Sequence, residues 1–211
     1  MWTFETPTKL KKMFVTIEGL DGSGKSTVID AIGYEYPNSV ITAEPTETWT
    51  GDAVRECLQK DTDPLTDFYY FMGDRVDHLR NKVLPNDEKG RLVVCDRYAD
   101  STRAYQPVAL AEGGFDSQTE AKLFIEEAMS QWIVEPDVTI YLDVSVETAL
   151  ERSDEDEKYE NREFLEKVKA NYDALVEAER DRFIVIDGEQ SKEVVAREAV
   201  SKLNLPSLDR I

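Results

Sequence analysis

The chain has 211 residues, of which 41% are hydrophobic, and this composition is typical of a globular domain and not of a disordered chain. Its 25 basic and 44 acidic side chains give a formal net charge of −19, which argues against nonspecific binding to nucleic acid or anionic lipid. No apolar run approaches the roughly 20 residues of a membrane span, and the N-terminus lacks the apolar core of a secretion signal, so we expect a cytoplasmic protein.

The acidic residues are dispersed along the chain and do not form one block. A dispersed acidic surface suits a protein from a high-salt host, because salt screens the repulsion between its charges. The alternative is an ordinary acidic mesophilic protein, and it is favoured by the observation that Lys is not depleted relative to Arg.

A phosphate-binding motif follows the first predicted strand, residues 14–18. Residues 19–26 fit G-x-x-x-x-G-K-[ST] at every fixed position, and the glycines let successive N–H groups point into one concavity that holds phosphate oxygens. In such a loop Lys25 reaches the β- and γ-phosphates, Ser26 ligates Mg²⁺, and the helix from about Val28 brings its positive end to the same anion. The predicted ATP-binding residues are Gly19, Leu20, Asp21, Gly22, Ser23, Gly24, Lys25, Ser26 and Thr27.

The second predicted strand, residues 39–43, runs into a Glu44-Pro45 turn. In α/β sheets the ligand lies beyond the carboxyl ends of the strands, so this turn is expected to face the site. A proline-fixed connection to the short helix predicted over 52–59 explains the same residues equally well.

A longer helix, predicted over 65–84, carries two stripes. The first, with Leu65, Phe68, Met72, Val76, Leu79 and Val83, has the spacing of a core-facing surface. The second has Phe71, Arg75 and His78, and a ring and a guanidinium one turn apart can hold a planar base by stacking and hydrogen bonding. Additional core for Phe71, and a surface ion pair for Arg75, fit the pattern equally well; His78 is expected to be a structural hydrogen-bonding residue.

The third strand, residues 92–96, is continuously apolar and ends in a carboxylate, as is typical of a doubly covered parallel strand. Asp96 and Arg97 are therefore expected at the carboxyl edge beside the phosphate loop, where Asp96 joins Ser26 as a candidate Mg²⁺ ligand. Residues 99–106 follow as a cluster of hydrogen-bonding groups.

The remaining chain alternates helices with strands, which predicts an α/β fold with a mostly parallel sheet. Helices are predicted over 117–134, 146–152, 161–180 and 191–203, and strands over 138–143 and 183–187. Residues 1–12 are interpreted as an N-terminal extension and residues 13–211 as a single domain. Cys57 and Cys95 are predicted to be buried free thiols.

Together these segments resemble the thymidylate kinases of the nucleoside-monophosphate kinase group, from about residue 14 to residue 203. The resemblance rests on IEGLDGSGKST, FMGDRVDH (71–78), CDRYADSTRAYQ (95–106), PDVTIYLDVSVETALER (136–152) and NREFLEKVKANY (161–172). It implies the P-loop NTPase three-layer fold, with a five-stranded parallel sheet flanked by helices, usually assembled as a homodimer. It also implies transfer of the γ-phosphoryl group of ATP to dTMP, with Mg²⁺, on the way to dTTP.

The resemblance also implies roles by position. Phe71 would stack on thymine and Arg75 would bond its carbonyl edge, while Tyr105 would lie against the deoxyribose and disfavour a 2′-hydroxyl. The full set of implied substrate contacts is Phe71, Arg75, Arg97, Ser101, Thr102, Tyr105 and Gln106. Lys25, Arg97 and Asp21 would be catalytic, with Arg97 gripping the acceptor phosphate and the transferring group.

Three departures from the family pattern concern positive charge. Ala43 stands where many members have an Arg, and the phosphate loop has Gly22 and Ser23 where some members have one. The expected lid, about 153–160, is short and acidic, which leaves only three nearby cations as candidates: Arg152, Lys158 and Arg162.

Two other functions fit parts of the sequence. A deoxynucleoside kinase would need a carboxylate base for a sugar hydroxyl, and Glu44 is available. A nucleotide-dependent switch would need the guanine-reading Asn-Lys-x-Asp motif, but Asn81-Lys82 is followed by Leu84 in place of Asp. A catalytically inactive binding subunit is disfavoured by the intact Lys25 and Arg97.

Overall fold

Five parallel strands form one sheet, and their carboxyl ends bring the candidate residues to one edge. The computed structural model describes residues 13–60, 62–153 and 161–203, and within them the strand order is β2-β3-β1-β4-β5. The strands are Met13–Glu18 (β1), Val40–Ala43 (β2), Leu92–Asp96 (β3), Val138–Asp143 (β4) and Phe183–Asp187 (β5). The predicted five-stranded parallel sheet is confirmed.

Helices cover both faces of the sheet. They are Lys25–Glu35 (α1), Trp49–Leu58 (α2), Pro64–His78 (α3), Leu84–Asp87 (α4), Ala99–Glu112 (α5), Gln118–Met129 (α6), Val146–Arg152 (α7), Arg162–Ala178 (α8) and Lys192–Leu203 (α9). On one face α1 and α9 pack against Val15 and Ile17 of β1, and on the other Phe14 lies in a second apolar cluster. All three side chains are fully buried, and truncating Phe14 to Ala would cost about 3–5 kcal/mol of stability.

The register makes β1 the centre of the sheet. Val15 pairs with Val94 of β3 and with Val138 of β4. Backbone bonds continue past the strand ends, since Arg97 N donates to Ile17 O at 3.0 Å. The loops after β1, β2 and β3 therefore leave the sheet side by side, which places the site where parallel-sheet topology predicts it.

Most predicted elements lie where the sequence pattern placed them, but the helix predicted over 65–84 does not have a single geometry. α3 ends at His78, a π-helical segment spans Leu79–Val83, and α4 continues the run. Pro85 has no N–H to donate, and its ring would clash with the carbonyl group four residues earlier in a regular α-helix. The wider π-helical turn before it relieves that clash. The predicted apolar stripe survives, because Leu79 and Val83 are both buried.

One predicted helix was too long, and one helix was not predicted. The helix predicted over 117–134 ends at Met129. The backbone N–H groups of Trp132 and Ile133 both donate to the carbonyl oxygen of Met129, so these two apolar residues extend the pattern but not the helix. Residues 99–106, predicted only as a polar cluster, form the first half of α5. Polar residues on its buried face concealed its periodicity.

Both cysteines are buried free thiols, as predicted. No helix in the described part of the chain combines the length and apolar character that crossing a bilayer requires.

Candidate active site

The phosphate loop between β1 and α1 depends on glycine for its shape. Gly19 and Gly22 have φ angles of 146° and 73°, in the region that side chains rarely adopt. A Cβ on Gly19 would lie 2.8 Å from the carbonyl oxygen of Leu142, and one on Gly22 would lie 2.7 Å from that of Ala149. The loop can therefore approach β4 and α7 only with glycine at these positions.

Lys25 lies across this loop. Its Nζ donates to Leu20 O at 2.9 Å and to Gly19 O at 3.3 Å, and is 3.5 Å from Asp21 Oδ1. Burial lowers the pKa of Lys25, the charge of Arg97 acts in the same direction, and Asp21 opposes both. An entering phosphate would replace two carbonyl acceptors with a full negative charge.

Arg97 stands beside the loop in a strained backbone conformation, with φ of 60°. Its Nη2 donates to Asp21 Oδ1 at 2.6 Å and its Nη1 to Ser101 Oγ at 3.0 Å, while its guanidinium lies 5.3 Å from the centre of the Tyr105 ring. Burial of Asp21 opposes its ionisation, but the charges of Arg97 and Lys25 outweigh that effect and hold its pKa well below the usual range.

The other end of the site is built around Arg75, which is almost completely buried. Its Nε donates to Glu44 Oε2 at 2.8 Å, Nη1 to Thr102 Oγ1 at 2.9 Å, and Nη2 to Tyr98 O at 2.9 Å. Glu44 Oε1 lies 2.9 Å from His78 Nδ1. The surface ion pair considered for Arg75 is therefore wrong, and His78 is a structural hydrogen-bonding residue, as expected.

The same contacts bear on Glu44 as a general base. Both of its carboxylate oxygens have partners, and the side chain is buried. Each oxygen can accept a second hydrogen bond and Glu44 lines the cavity, so the deoxynucleoside kinase alternative is separated by the choice of acceptor, thymidine or its monophosphate, and not by these contacts.

One cavity of about 570 Å³ joins the two ends. The buried side-chain oxygens of its lining residues that lack a hydrogen-bond partner within the described residues include a carboxylate oxygen, Asp96 Oδ1, and an amide oxygen, Gln106 Oε1. Buried oxygens without partners are costly, so these two atoms mark where a ligand would be bound. The predicted residues that line this cavity are Asp21, Lys25, Phe71, Arg75, Asp96, Arg97, Ser101, Thr102, Tyr105 and Gln106.

A smaller cavity of about 260 Å³ lies on the other side of the phosphate loop. Its lining includes Gly22, Gly24, Thr27 and Arg152, and Arg152 Nη1 donates to Gly188 O at 2.9 Å. Of the predicted loop residues, Ser26 is exposed to solvent at the start of α1.

The lid predictions have separate outcomes. Arg152 lies at the smaller cavity, whereas Arg162 pairs with Glu147 on the exposed surface. Lys158 and the greater part of the predicted lid lie outside the described residues.

Arg55 is a cavity residue that sequence reasoning missed. From α2 its Nη2 donates to Thr46 O at 2.7 Å and its Nη1 to Pro45 O at 3.2 Å, so it is held against the turn after β2. It brings a positive charge to the same region as Ala43, where an Arg was expected and is absent. The sequence offered one signal for this role: Arg55 is a cation on the short helix that follows the turn at the end of β2.

Glu18 was also missed. It ends β1, immediately before the phosphate loop, and its side chain is fully buried. The signal was available in the sequence, because a carboxylate that ends an apolar strand was noticed at Asp96 but not here.

The comparisons with known proteins agree with this geometry. The thymidylate kinase family model matches residues 17–199. A "probable thymidylate kinase" from Halorubrum lacusprofundi is 42% identical over 195 residues, covering 90% of this chain and 98% of that protein. The chain belongs to the thymidylate kinase family.

Other members agree across nearly the whole chain. A "probable thymidylate kinase" from Methanococcoides burtonii is 35% identical over 199 residues, covering 92% of this chain and 97% of its own. The crystal structure of thymidylate kinase from Ehrlichia chaffeensis superposes with a TM-score of 0.69 at 27% identity, covering 92% of this chain and 99% of that one. The chain is thus an ATP-dependent nucleoside-monophosphate kinase with the P-loop fold, and the family resemblance stated from the sequence is confirmed.

Proposed function

We propose that this thymidylate kinase transfers the γ-phosphoryl group of ATP to dTMP, giving dTDP and ADP. The observation that carries the proposal is the cavity of about 570 Å³, which is lined by Asp21 and Lys25 of the phosphate loop, by Phe71 and Arg75, and by Arg97. An acceptor nucleotide lying along this cavity would present its phosphate to Arg97 and Lys25.

The base end suits thymine and not cytosine. Arg75 can only donate hydrogen bonds, and Gln106 offers an unpartnered Oε1 that accepts. Thymine presents the matching pair, a carbonyl at O4 and an N–H at N3, whereas cytosine presents an amino group and an unprotonated nitrogen. Phe71 lines the same end and is proposed to stack on the ring, and Tyr105 to limit room beside the sugar.

At the phosphate end the reaction needs no carboxylate base. The acceptor monoester is largely dianionic at neutral pH, since its second pKa is about 6. One of its oxygens forms a bond to the γ-phosphorus while the bond from that phosphorus to the β-phosphate oxygen breaks, and the electron pair leaves with ADP. The protein's task is to align two repelling anions, and Lys25, Arg97 and the loop amides carry it, with Arg55 as a further cation.

Mg²⁺ fits the residues at the phosphate end. Asp96 Oδ1 is buried without a partner, and Ser26 exposes its hydroxyl at the end of the loop. Both are hard oxygen donors of the kind Mg²⁺ prefers, and we propose that they hold it directly or through water. When bound, Mg²⁺ would neutralise part of the charge on the phosphates.

The proposed cellular form is a cytoplasmic homodimer. Exposed apolar side chains on α3 and α6 support this assembly, namely Tyr69, 57% exposed, and Leu123, 69% exposed. Large exposed apolar residues on neighbouring helices are typical of an interface. Light scattering should give twice the chain mass, and Leu123→Glu should reduce it.

The function is tested with a coupled kinase assay. ATP and Mg²⁺ are supplied with dTMP, dUMP, dCMP, dGMP and thymidine, each in dilute and in molar KCl. We expect dTMP to be the preferred acceptor and thymidine not to react. The proposal would be refuted if dTMP were not converted at either salt concentration. Turnover of thymidine would favour the deoxynucleoside kinase instead.

A further inference from the structure

Glu18 is a buried carboxylate with every acceptor position occupied. Its Oε1 accepts from Tyr98 N at 2.8 Å and Ser101 N at 3.2 Å, and its Oε2 accepts from Ser101 Oγ at 2.6 Å and Tyr172 Oη at 2.9 Å. Tyr98 is the N-cap of α5 and makes no side-chain cap. Glu18, reaching from β1, therefore supplies the carboxylate that satisfies the first amides of α5.

The direction of the hydrogen bonds at Ser101 follows from the groups involved. The Arg97 guanidinium only donates, so Ser101 Oγ must accept from Nη1, at 3.0 Å. The single hydroxyl hydrogen of Ser101 is then free to point at Glu18 Oε2, which as a carboxylate only accepts. The result is one ordered chain of donors from Arg97 through Ser101 to Glu18.

We propose that Glu18 is a positioning residue for phosphoryl transfer: it orients Ser101, and Ser101 holds the Arg97 guanidinium between the two nucleotides. The proposal rests on the proposed function, because that function gives Arg97 its role.

An uncharged intermediary has a physical advantage here. Arg97 already forms a direct ion pair with Asp21 at 2.6 Å, and a second carboxylate in direct contact would cancel more of the charge that the phosphates need. The Ser101 hydroxyl fixes the direction of the guanidinium without adding that second negative charge. The other partner of Arg97, Asp21, is 40% exposed and lines the cavity, so it is open to the substrate and to solvent.

The surroundings of Glu18 determine when it is ionised. Burial, followed by the charge of Asp100 on α5, raises the pKa of Glu18 to about 7, whereas Ser101, Arg97 and Tyr172 of α8 act in the opposite direction. Kinetic tests therefore belong at about pH 8, where the carboxylate is present.

The test is a set of variants measured in wild-type and Arg97→Ala backgrounds. In Glu18→Gln the amide nitrogen replaces one oxygen, donates to Ser101 Oγ and competes with Arg97 for it. In Ser101→Ala the link is absent. We expect each variant to lower kcat about tenfold with little change in the KM of dTMP or ATP, and the double variant to be no slower than either one. In the Arg97→Ala background neither change should lower kcat further.

Thr16→Val is the matched control. Thr16 is a buried polar residue on the same strand, and its Oγ1 bonds Thr139 Oγ1 at 2.9 Å. Among the described residues it makes no direct hydrogen bond to Glu18, Ser101 or Arg97. We expect it to change the melting temperature but not kcat. If Glu18→Gln does not fold, Ser101→Ala carries the same comparison, and Ser101→Thr should restore the rate because it restores the hydroxyl.

The outcomes separate this inference from the proposed function. A wild-type protein that phosphorylates dTMP, with full kcat in both Glu18→Gln and Ser101→Ala, would overturn the inference alone. So would effects that multiply in the double variant or persist without Arg97, because these indicate a general loss of structure. A wild-type protein that does not phosphorylate dTMP would instead refute the function itself.

Discussion

The two ends of the cavity each hold an arginine near a buried carboxylate, but the connections differ. At the base end Glu44 contacts Arg75 directly, and both side chains are only 2% exposed. At the phosphate end Glu18 reaches Arg97 through Ser101, and Arg97 keeps 18% of its side-chain surface. The direct pair fixes a hydrogen-bond donor whose charge is cancelled inside the protein. Arg97 instead pairs with the partly exposed Asp21 at 2.6 Å, and Glu18 orients it through Ser101 without a second direct carboxylate. The base end and the phosphate end thus both use an arginine and a glutamate, but connect them by different hydrogen bonds.

The largest expected effect comes from breaking the direct pair. Arg75→Met keeps the volume but leaves Glu44 buried without its guanidinium partner, so the free energy of unfolding should fall by about 3–5 kcal/mol. Chemical denaturation measures it. Arg75→Met combined with Glu44→Gln should recover part of the loss, and a single variant as stable as wild type would mean that the pair is not buried in solution.

Arg97→Ala should have the next largest effect, on rate and not on stability. Removing one donor to the transition state typically costs about 10²-fold or more in kcat, or about 2.7 kcal/mol. Steady-state assays with saturating ATP and dTMP test this, and Arg97→Lys, which keeps the charge without the fork, should recover only part of the rate. Full activity of the alanine variant would contradict the role given to Arg97.

The buried carboxylate at the phosphate end also predicts a pH dependence. Because the pKa of Glu18 is raised from 4.5 to about 7 in the folded protein, its stabilising contribution is complete below pH 4.5 and is lost as pH rises through 7. The stability of wild type relative to Glu18→Gln should therefore fall by about 2 kcal/mol between pH 5 and pH 7. Taking the difference between the two proteins cancels the other carboxylates, and a difference that stays constant with pH would show that Glu18 titrates normally.

The two ends also differ in how far the sequence revealed them. The phosphate loop could be predicted from the sequence because its backbone shape requires glycine at fixed spacing. Arg97 could be predicted because it directly follows an apolar strand, at the carboxyl edge of the sheet. Phe71 and Arg75 were visible as a stripe. The alternatives for Arg75 could be separated only once Glu44, 31 residues before it, was placed against it, whereas Phe71 both lines the cavity and packs against an apolar cluster of α3 and α6. Glu18 and Arg55 carried weaker signals, a carboxylate at the end of an apolar strand and a cation on a short helix. Their roles became clear only from contacts with Tyr172, 154 residues away, and with Pro45, 10 residues away.

A smaller effect is expected at Gln106, whose Oε1 has no hydrogen-bond partner in the part of the chain that the structure describes. Gln106→Leu should raise the KM of dTMP about tenfold, with kcat nearly unchanged, because one hydrogen bond to the base is lost. Its melting temperature should not fall, since a buried unpartnered oxygen is replaced by an apolar group of similar size. A KM that does not change would place the pyrimidine elsewhere.

The smallest effect per residue concerns the surface and not the cavity. With a net charge of −19, exposed acids repel one another, and molar KCl shortens the screening length from about 10 Å at 0.1 M to about 3 Å. We expect the melting temperature to rise from dilute to molar KCl, because screening weakens this repulsion in the folded protein. Neutralising three exposed acids, Asp30, Glu88 and Glu127, as amides should raise the melting temperature in dilute buffer and flatten its salt dependence. Equal melting temperatures at both salt concentrations would contradict adaptation to high salt. Salt screens buried charges much less than exposed ones. Because Glu18 and Glu44 are buried, the effects of substituting them should be similar at both KCl concentrations.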